Sequence, residues 1–144
     1  MIAIIIVALF CSRFALVCVI GKSMAPALES GNIVLIDKQA SPRKGDIVVA
    51  DVELLRCAVV KRVAAQGGDT VEIQEGKLII NGECVEESYV LQENADEKGT
   101  WKKRRLASGT YFLLGDNRRI SLDSREFGCV RNEEIKGTVV FRLF

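Results

Sequence analysis

Residues 46–63 read DIVVADVELLRCAVVKRV, and this stretch decides the fold class. Its two halves, Asp46–Val52 and Arg56–Val63, are short, rich in valine and bounded by turn residues, which is the pattern of strands. Working outward, the pattern repeats. Phe14–Ile20 and Ile33–Ile36 are short apolar runs upstream. Downstream, Val71 and Ile73 alternate with polar residues, Glu75-Gly76 marks a turn and Lys77–Ile80 returns. Asn81-Gly82 is a strong two-residue hairpin signal ahead of Glu83–Val85. Tyr111–Leu114 and Thr138–Phe144 are further strands. No stretch sustains an apolar period of about 3.6 residues over three turns, so helix content should be low. The expected fold is therefore mainly β.

The chain has 144 residues, one domain's worth. Its 49% apolar and 27% charged residues give a globular composition. Twenty basic against nineteen acidic residues leave a net charge of +1, without the basic excess of a dedicated nucleic-acid binder. Histidine is absent. That excludes Ser-His-Asp and Cys-His catalysis and histidine metal sites. Any catalytic base must be Lys, Asp, Glu, Tyr or Cys. The five cysteines (Cys11, Cys18, Cys57, Cys84, Cys129) contain no C-x-x-C pair and make a poor disulfide framework; most are expected to be small buried apolar residues. No ligand cluster implies a metal or organic cofactor.

The N-terminus is the strongest compositional feature. Residues 1–20 are apolar except for Ser12 and Arg13. An arginine inside a membrane span is costly, so the segment divides there. Residues 1–13 read as a membrane-proximal hydrophobic segment, an anchor or an interfacial stretch, and residues 14–144 as the folded domain. The plainer alternative is a core strand with an apolar lead-in. Within the domain, residues 70–110 read as a small β-meander with a charged insert. Its tail, residues 88–108, is dense in charge, and the Trp101–Arg105 run reads as solvated surface loop.

Three polar segments interrupt the strands. Gly21-Lys22-Ser23-Met24-Ala25-Pro26 holds a serine on a turn that Gly21 permits and Pro26 stiffens. Lys61 sits inside the valine-rich strand, where lysine is uncommon. A buried lysine loses part of its preference for the charged form and can serve as base toward a hydroxyl. The third segment, Gly115–Arg125, carries Asp116, Asn117, Arg118, Ser121, Asp123 and Arg125, more polar groups than a turn requires.

These segments resemble the conserved boxes of type I signal peptidases, membrane-anchored Ser-Lys endopeptidases. Ser-Met-x-Pro matches at Ser23–Pro26, and Gly-Asp-[Ile/Val]-Val at Gly45–Val48. Lys-Arg-Val followed by Gly-Asp matches at Lys61–Val63 and Gly68-Asp69. Gly-Asp-Asn-Arg-x-x-Ser-x-Asp-Ser-Arg matches at Gly115–Arg125. The resemblance implies an antiparallel, barrel-like β catalytic core shared with SOS-type repressors. It implies Ser23 as nucleophile, Lys61 as general base and Ser121 as the lysine's hydrogen-bond partner. Asp123 and Arg125 would form a supporting ion pair with Arg62 nearby, and Asp116 and Asn117 would complete the support. The Ser23 N–H would be one oxyanion donor. Gly21 stands where some members carry a serine as the second donor. Ile20, Met24 and Val60 are the candidates to line the substrate pockets. The implied substrates are signal peptides of exported preproteins, cut at the outer face of the cytoplasmic membrane, with lipid contact through the N-terminal segment and no nucleic acid.

Three rivals remain open at this level. A self-cleaving SOS-repressor-like domain uses the same Ser-Lys chemistry. A noncatalytic membrane-tethered β module would explain the strands but not a lysine in mid-strand. Ser41-Pro42-Arg43-Lys44 forms an S-x-x-K string, but Pro42 and Gly45 put it in a loop, whereas that motif opens a helix in penicillin-recognising enzymes.

Overall fold

The computed structural model describes residues 12–96 and 99–144; the expected hydrophobic segment 1–11 lies outside them. Two antiparallel sheets form the domain. The larger runs β1-β2-β11-β3-β4-β9-β10 and the smaller β7-β6-β5-β8. The strands are β1 (Phe14–Cys18), β2 (Ile33–Asp37), β3 (Ile47–Val52), β4 (Cys57–Gln66), β5 (Thr70–Gln74), β6 (Lys77–Ile80), β7 (Glu83–Cys84), β8 (Trp101–Arg105), β9 (Thr110–Leu114), β10 (Val130–Arg131) and β11 (Ile135–Arg142). A single turn of helix, α1, spans Ser124–Phe127.

The continuous apolar character of β3 has a direct cause. Successive side chains leave opposite faces of a strand, and both faces of β3 are covered. Val48, Ala50 and Val52 join a core with Val63, Leu113 and Val130. Val49 joins a second core with Val19, Met24, Leu28, Val34 and Ile36. A third core, built on Ala64, Val71, Ile73, Leu78, Phe112 and Leu114, holds the small sheet against β4 and β9. In the Asn81-Gly82 hairpin both residues have positive φ (54° and 86°), the backbone a tight primed turn demands.

Arg13 is tied to the start of the large sheet. Its guanidinium donates to the Asp37 carboxylate at 2.6 Å, and Phe14 pairs with Asp37 at the start of β1.

Several expectations are corrected. The Trp101–Arg105 run is a strand, paired to β5 through Thr70↔Arg105 and Ile73↔Trp101. It lacks an alternating apolar face because it is the sheet's edge and its charged side chains face water, a common protection of edge strands. β11 starts at Ile135 rather than Thr138, because Ile135 and Gly137 pair with β3 across an irregular register. Among the described residues the cysteines are not in the core: Cys18, Cys57, Cys84 and Cys129 are free and exposed. Cys18 lies on the edge strand β1 and Cys84 on the edge strand β7, where a small side chain has no second layer to bury it.

Candidate active site

Chain order places Ser23 and Lys61 far apart, and the sheet brings them together. Beyond β1, the main chain keeps hugging the entry to β2: Val19 N–H donates to Asn32 O at 2.8 Å and Gly31 N–H to Val19 O at 2.8 Å. Gly21, at φ +94°, then swings the chain over the sheet, and its N–H donates to Ser30 Oγ at 3.3 Å. Leu28 N–H closes the turn onto Met24 O at 2.9 Å. Met24 is 1% exposed; it nails the turn into the core beside Val19 and Leu28. Ser23 is left at the surface of that core, half-buried.

Lys61 arrives from β4, opposite Val48 of β3. Its side chain is buried, with the residue 4% exposed. Nζ lies 2.8 Å from Ser23 Oγ and donates to Val60 O at 3.0 Å. Burial pushes the amine below the ordinary lysine range, and the charges of Asp123, Cys57 and Asp116 partly oppose it. A neutral Nζ at this distance is placed to accept the serine proton.

The polar run packs beneath the pair. Asn117 N–H donates to Ser23 O at 2.9 Å. Gly115 is crowded: a Cβ there would lie 2.1 Å from Ser121 Oγ and 2.7 Å from Ser23 O. Asp123 is buried and does three things. It accepts Gly115 N–H at 3.0 Å, it caps α1 in a box with Glu126, and it pairs with Arg125 Nε at 2.8 Å. Arg62, next to the lysine, grips buried Asp116 through two bonds at 2.8 and 2.6 Å. Its remaining nitrogen Nη1 reaches Gly45 O at 2.8 Å, which ties the Gly45–Val48 box to the site.

Residues 1–144, the whole chain, match the family model described as signal peptidase, peptidase S26. The chain belongs to this family. It is 32% identical to signal peptidase I T of Bacillus subtilis (strain 168) over 136 residues, covering 86% of this chain and 70% of the relative. It is 37% identical to signal peptidase I of Bacillus caldolyticus over 139 residues, covering 86% and 76%. The crystal structure of a signal peptidase I from Enterococcus faecalis V583 is similar, with a TM-score of 0.62 and 28% identity, over 70% of this chain and 98% of that one. Membership makes the chain a serine peptidase, a hydrolase of peptide bonds. These relatives are signal peptidases rather than self-cleaving repressors or noncatalytic modules.

Within this signal peptidase family member the structure joins Ser23, Lys61, Arg62, Asp116, Asn117, Asp123 and Arg125 in one network. One expected contact is absent. Ser121 Oγ is buried and has no hydrogen-bond partner among the described residues, and the lysine's bonds go to Ser23 and Val60 instead. The S-x-x-K string is not a pair either: Lys44 Nζ lies 3.3 Å from Asp69 in an ion pair. Sequence reasoning missed Glu87 and Tyr89, which pack on Arg118 and Arg62. Their signal, Glu-x-Tyr just after the Asn-Gly hairpin, was masked by the surrounding charge.

Proposed function

We propose that the enzyme removes N-terminal signal peptides from exported preproteins by acyl transfer through Ser23 and Lys61. One observation carries this reading: in a signal peptidase family member, a nearly solvent-free amine stands 2.8 Å from the serine hydroxyl. Ser23 Oγ attacks the scissile carbonyl carbon while its proton passes to Lys61 Nζ. The tetrahedral oxyanion faces the Ser23 N–H, which no backbone hydrogen bond of the turn uses among the described residues. Lys61 returns the proton to the leaving amine and the peptide bond breaks, leaving an ester on Ser23. A water then gives a proton to Lys61 Nζ as it attacks the ester; on collapse Nζ returns a proton to Ser23 Oγ, which frees the signal peptide as its acid and restores the serine. Ser121 Oγ, buried and unpartnered, is a hydrogen-bonding group in reserve for the amine as its protonation changes.

The substrate would lie extended between residues 17–20 and 57–60. The edge of β4 over Cys57–Lys61 is open, since β9 pairs only with Arg62–Gln66, and β1 ends the sheet. Open edges accept an added strand. Ile20 is exposed and Val60 half-buried beside the dyad, fit to form pocket walls, with buried Met24 as the floor.

The reading includes a membrane address. Leu16, Leu35 and Phe141 form one cross-strand row on β1, β2 and β11. Leu16 and Phe141 are 62% and 63% exposed, and exposed Leu143 and Phe144 follow at the same edge. Such an outward apolar face fits lipid contact. Among the described residues no helix is long and apolar enough to cross a membrane.

The test is cleavage of a preprotein in detergent by wild type, Ser23→Ala and Lys61→Ala, with N-terminal sequencing of the product. Cleavage by the wild type alone, after a small residue, supports the reading; equal processing by all three removes it.

A further inference from the structure

We infer that Glu87, outside every motif that marks the site, is a positioning residue for the nucleophile, acting through Arg118. This inference rests on the acyl-transfer reading above. Glu87 lies in the connection between β7 and β8, which leaves the small sheet and returns to it. Its carboxylate meets Arg118 in a two-pronged pair, Arg118 Nη1 donating to Oε2 at 2.9 Å and Nη2 to Oε1. Both side chains are largely withdrawn from water, at 4% exposure for Arg118 and 10% for Glu87. Pairs of this geometry hold direction as well as charge.

The third donor of Arg118 carries the effect inward. Nε donates to Gly115 O at 2.9 Å, and Asp123 accepts Gly115 N–H from the other side. Gly115 is thereby held on both flanks. It is also the residue pressed against the Ser23 carbonyl and Ser121 hydroxyl, two positions before the Asn117 amide that bonds Ser23 O. A shift of this turn moves the main chain of Ser23.

A second branch returns to the lysine strand. Tyr89 Oη donates to Glu87 Oε1 at 2.9 Å, and the Arg62 guanidinium stacks over the Tyr89 ring at 4.2 Å. Arg62 in turn grips Asp116. The side chains of Glu87, Arg118, Arg62, Asp116 and Tyr89 thus form a closed ring, with the main chain at Gly115-Asp116 as one link. It clamps the small-sheet connection onto both the strand that presents Lys61 and the turn that supports Ser23. A carboxylate needed only to solvate a surface loop would have no reason to be buried in this ring.

The experiment compares wild type, Glu87→Gln, Tyr89→Phe and Ser23→Ala in the full chain, well below each variant's melting temperature. It reads kcat and KM on a preprotein and the rate at which a small activated ester acylates Ser23. For Glu87→Gln we expect kcat and the acylation rate to fall together by about tenfold, with KM within about twofold, as misplacement of a reacting group requires. Tyr89→Phe keeps the ring over Arg62 and removes only the hydroxyl's bond to Glu87, so a smaller fall of about threefold in both rates is expected. It decides the matter if Glu87→Gln does not fold. Unchanged rates per active site in the folded variants, with Ser23→Ala inert, would overturn the inference while leaving the acyl-transfer reading intact. Activity in Ser23→Ala would remove both.

Discussion

The amide of Asn117 donates to the carbonyl of Ser23 at 2.9 Å, so the polar run late in the chain holds the main chain of the serine turn near its start. Gly115 completes that contact by having no side chain. Gly115→Ala would push a methyl to 2.1 Å from Ser121 Oγ and 2.7 Å from Ser23 O. We expect a stability loss of about 1–3 kcal/mol from overpacking and an activity loss of about a hundredfold or more from displacement of Ser23. Thermal melts and preprotein cleavage measure the two separately.

Activity should rise with pH. Burial depresses the Lys61 pKa, and only the neutral amine can take the serine proton. The log of kcat/KM is therefore expected to climb with unit slope through the depressed value and level off above it. A profile flat across both acid and alkaline pH would contradict the role of Lys61.

The same burial has a stability signature. A lysine whose folded pKa lies below its unfolded one, near 10.5, binds its proton more weakly when folded. Stability from this group is complete only above the unfolded pKa and is lost as pH falls to the folded value. Below the folded value the full burden remains. Lys61→Met should abolish cleavage yet raise stability at pH 7 by about 1 kcal/mol, with the gain shrinking toward alkaline pH. Denaturant melts at two pH values check the sign.

Asp116→Asn breaks a pair in which Asp116 is fully buried and Arg62 14% exposed. The stranded guanidinium should destabilise the fold by roughly 3–5 kcal/mol. Asp116 also raises the Lys61 pKa through its charge. Its neutralisation should therefore move the acid limb of the pH profile to lower pH, which kinetics on the folded variant would show.

Leu16→Ser with Phe141→Ser removes the centre of the outward apolar row. Both side chains are mostly exposed, so folding should change little. Sedimentation with phospholipid vesicles should fall by about tenfold or more, given roughly 25 cal/mol per Å² of apolar surface withdrawn from water. Unchanged vesicle binding would assign lipid contact to another part of the chain.

Much of the fold was legible because strand chemistry is local. Valine runs at Asp46–Val52 and Arg56–Val63, the Asn81-Gly82 turn and the alternation at Val71–Ile73 state their conformation within a few residues. β8 was not legible: its pairing with β5, not its own side chains, makes Trp101–Arg105 a strand. The exposed cysteines were misread for a related reason, since burial depends on what the rest of the chain brings over a position.

By itself, the sequence determined the β class, the absence of histidine chemistry and the residues able to replace it, because residue type and spacing are carried by covalent order. Ser23 and Lys61 were expected together from the family resemblance; only the tertiary structure decided that the lysine's second bond goes to Val60 O rather than Ser121, that Arg62 takes Asp116, and that Glu87 joins the ring. Those choices depend on angstrom-scale distances between segments remote in sequence. Such distances arise only when β4, the serine turn and the Gly115–Arg125 run pack against shared cores.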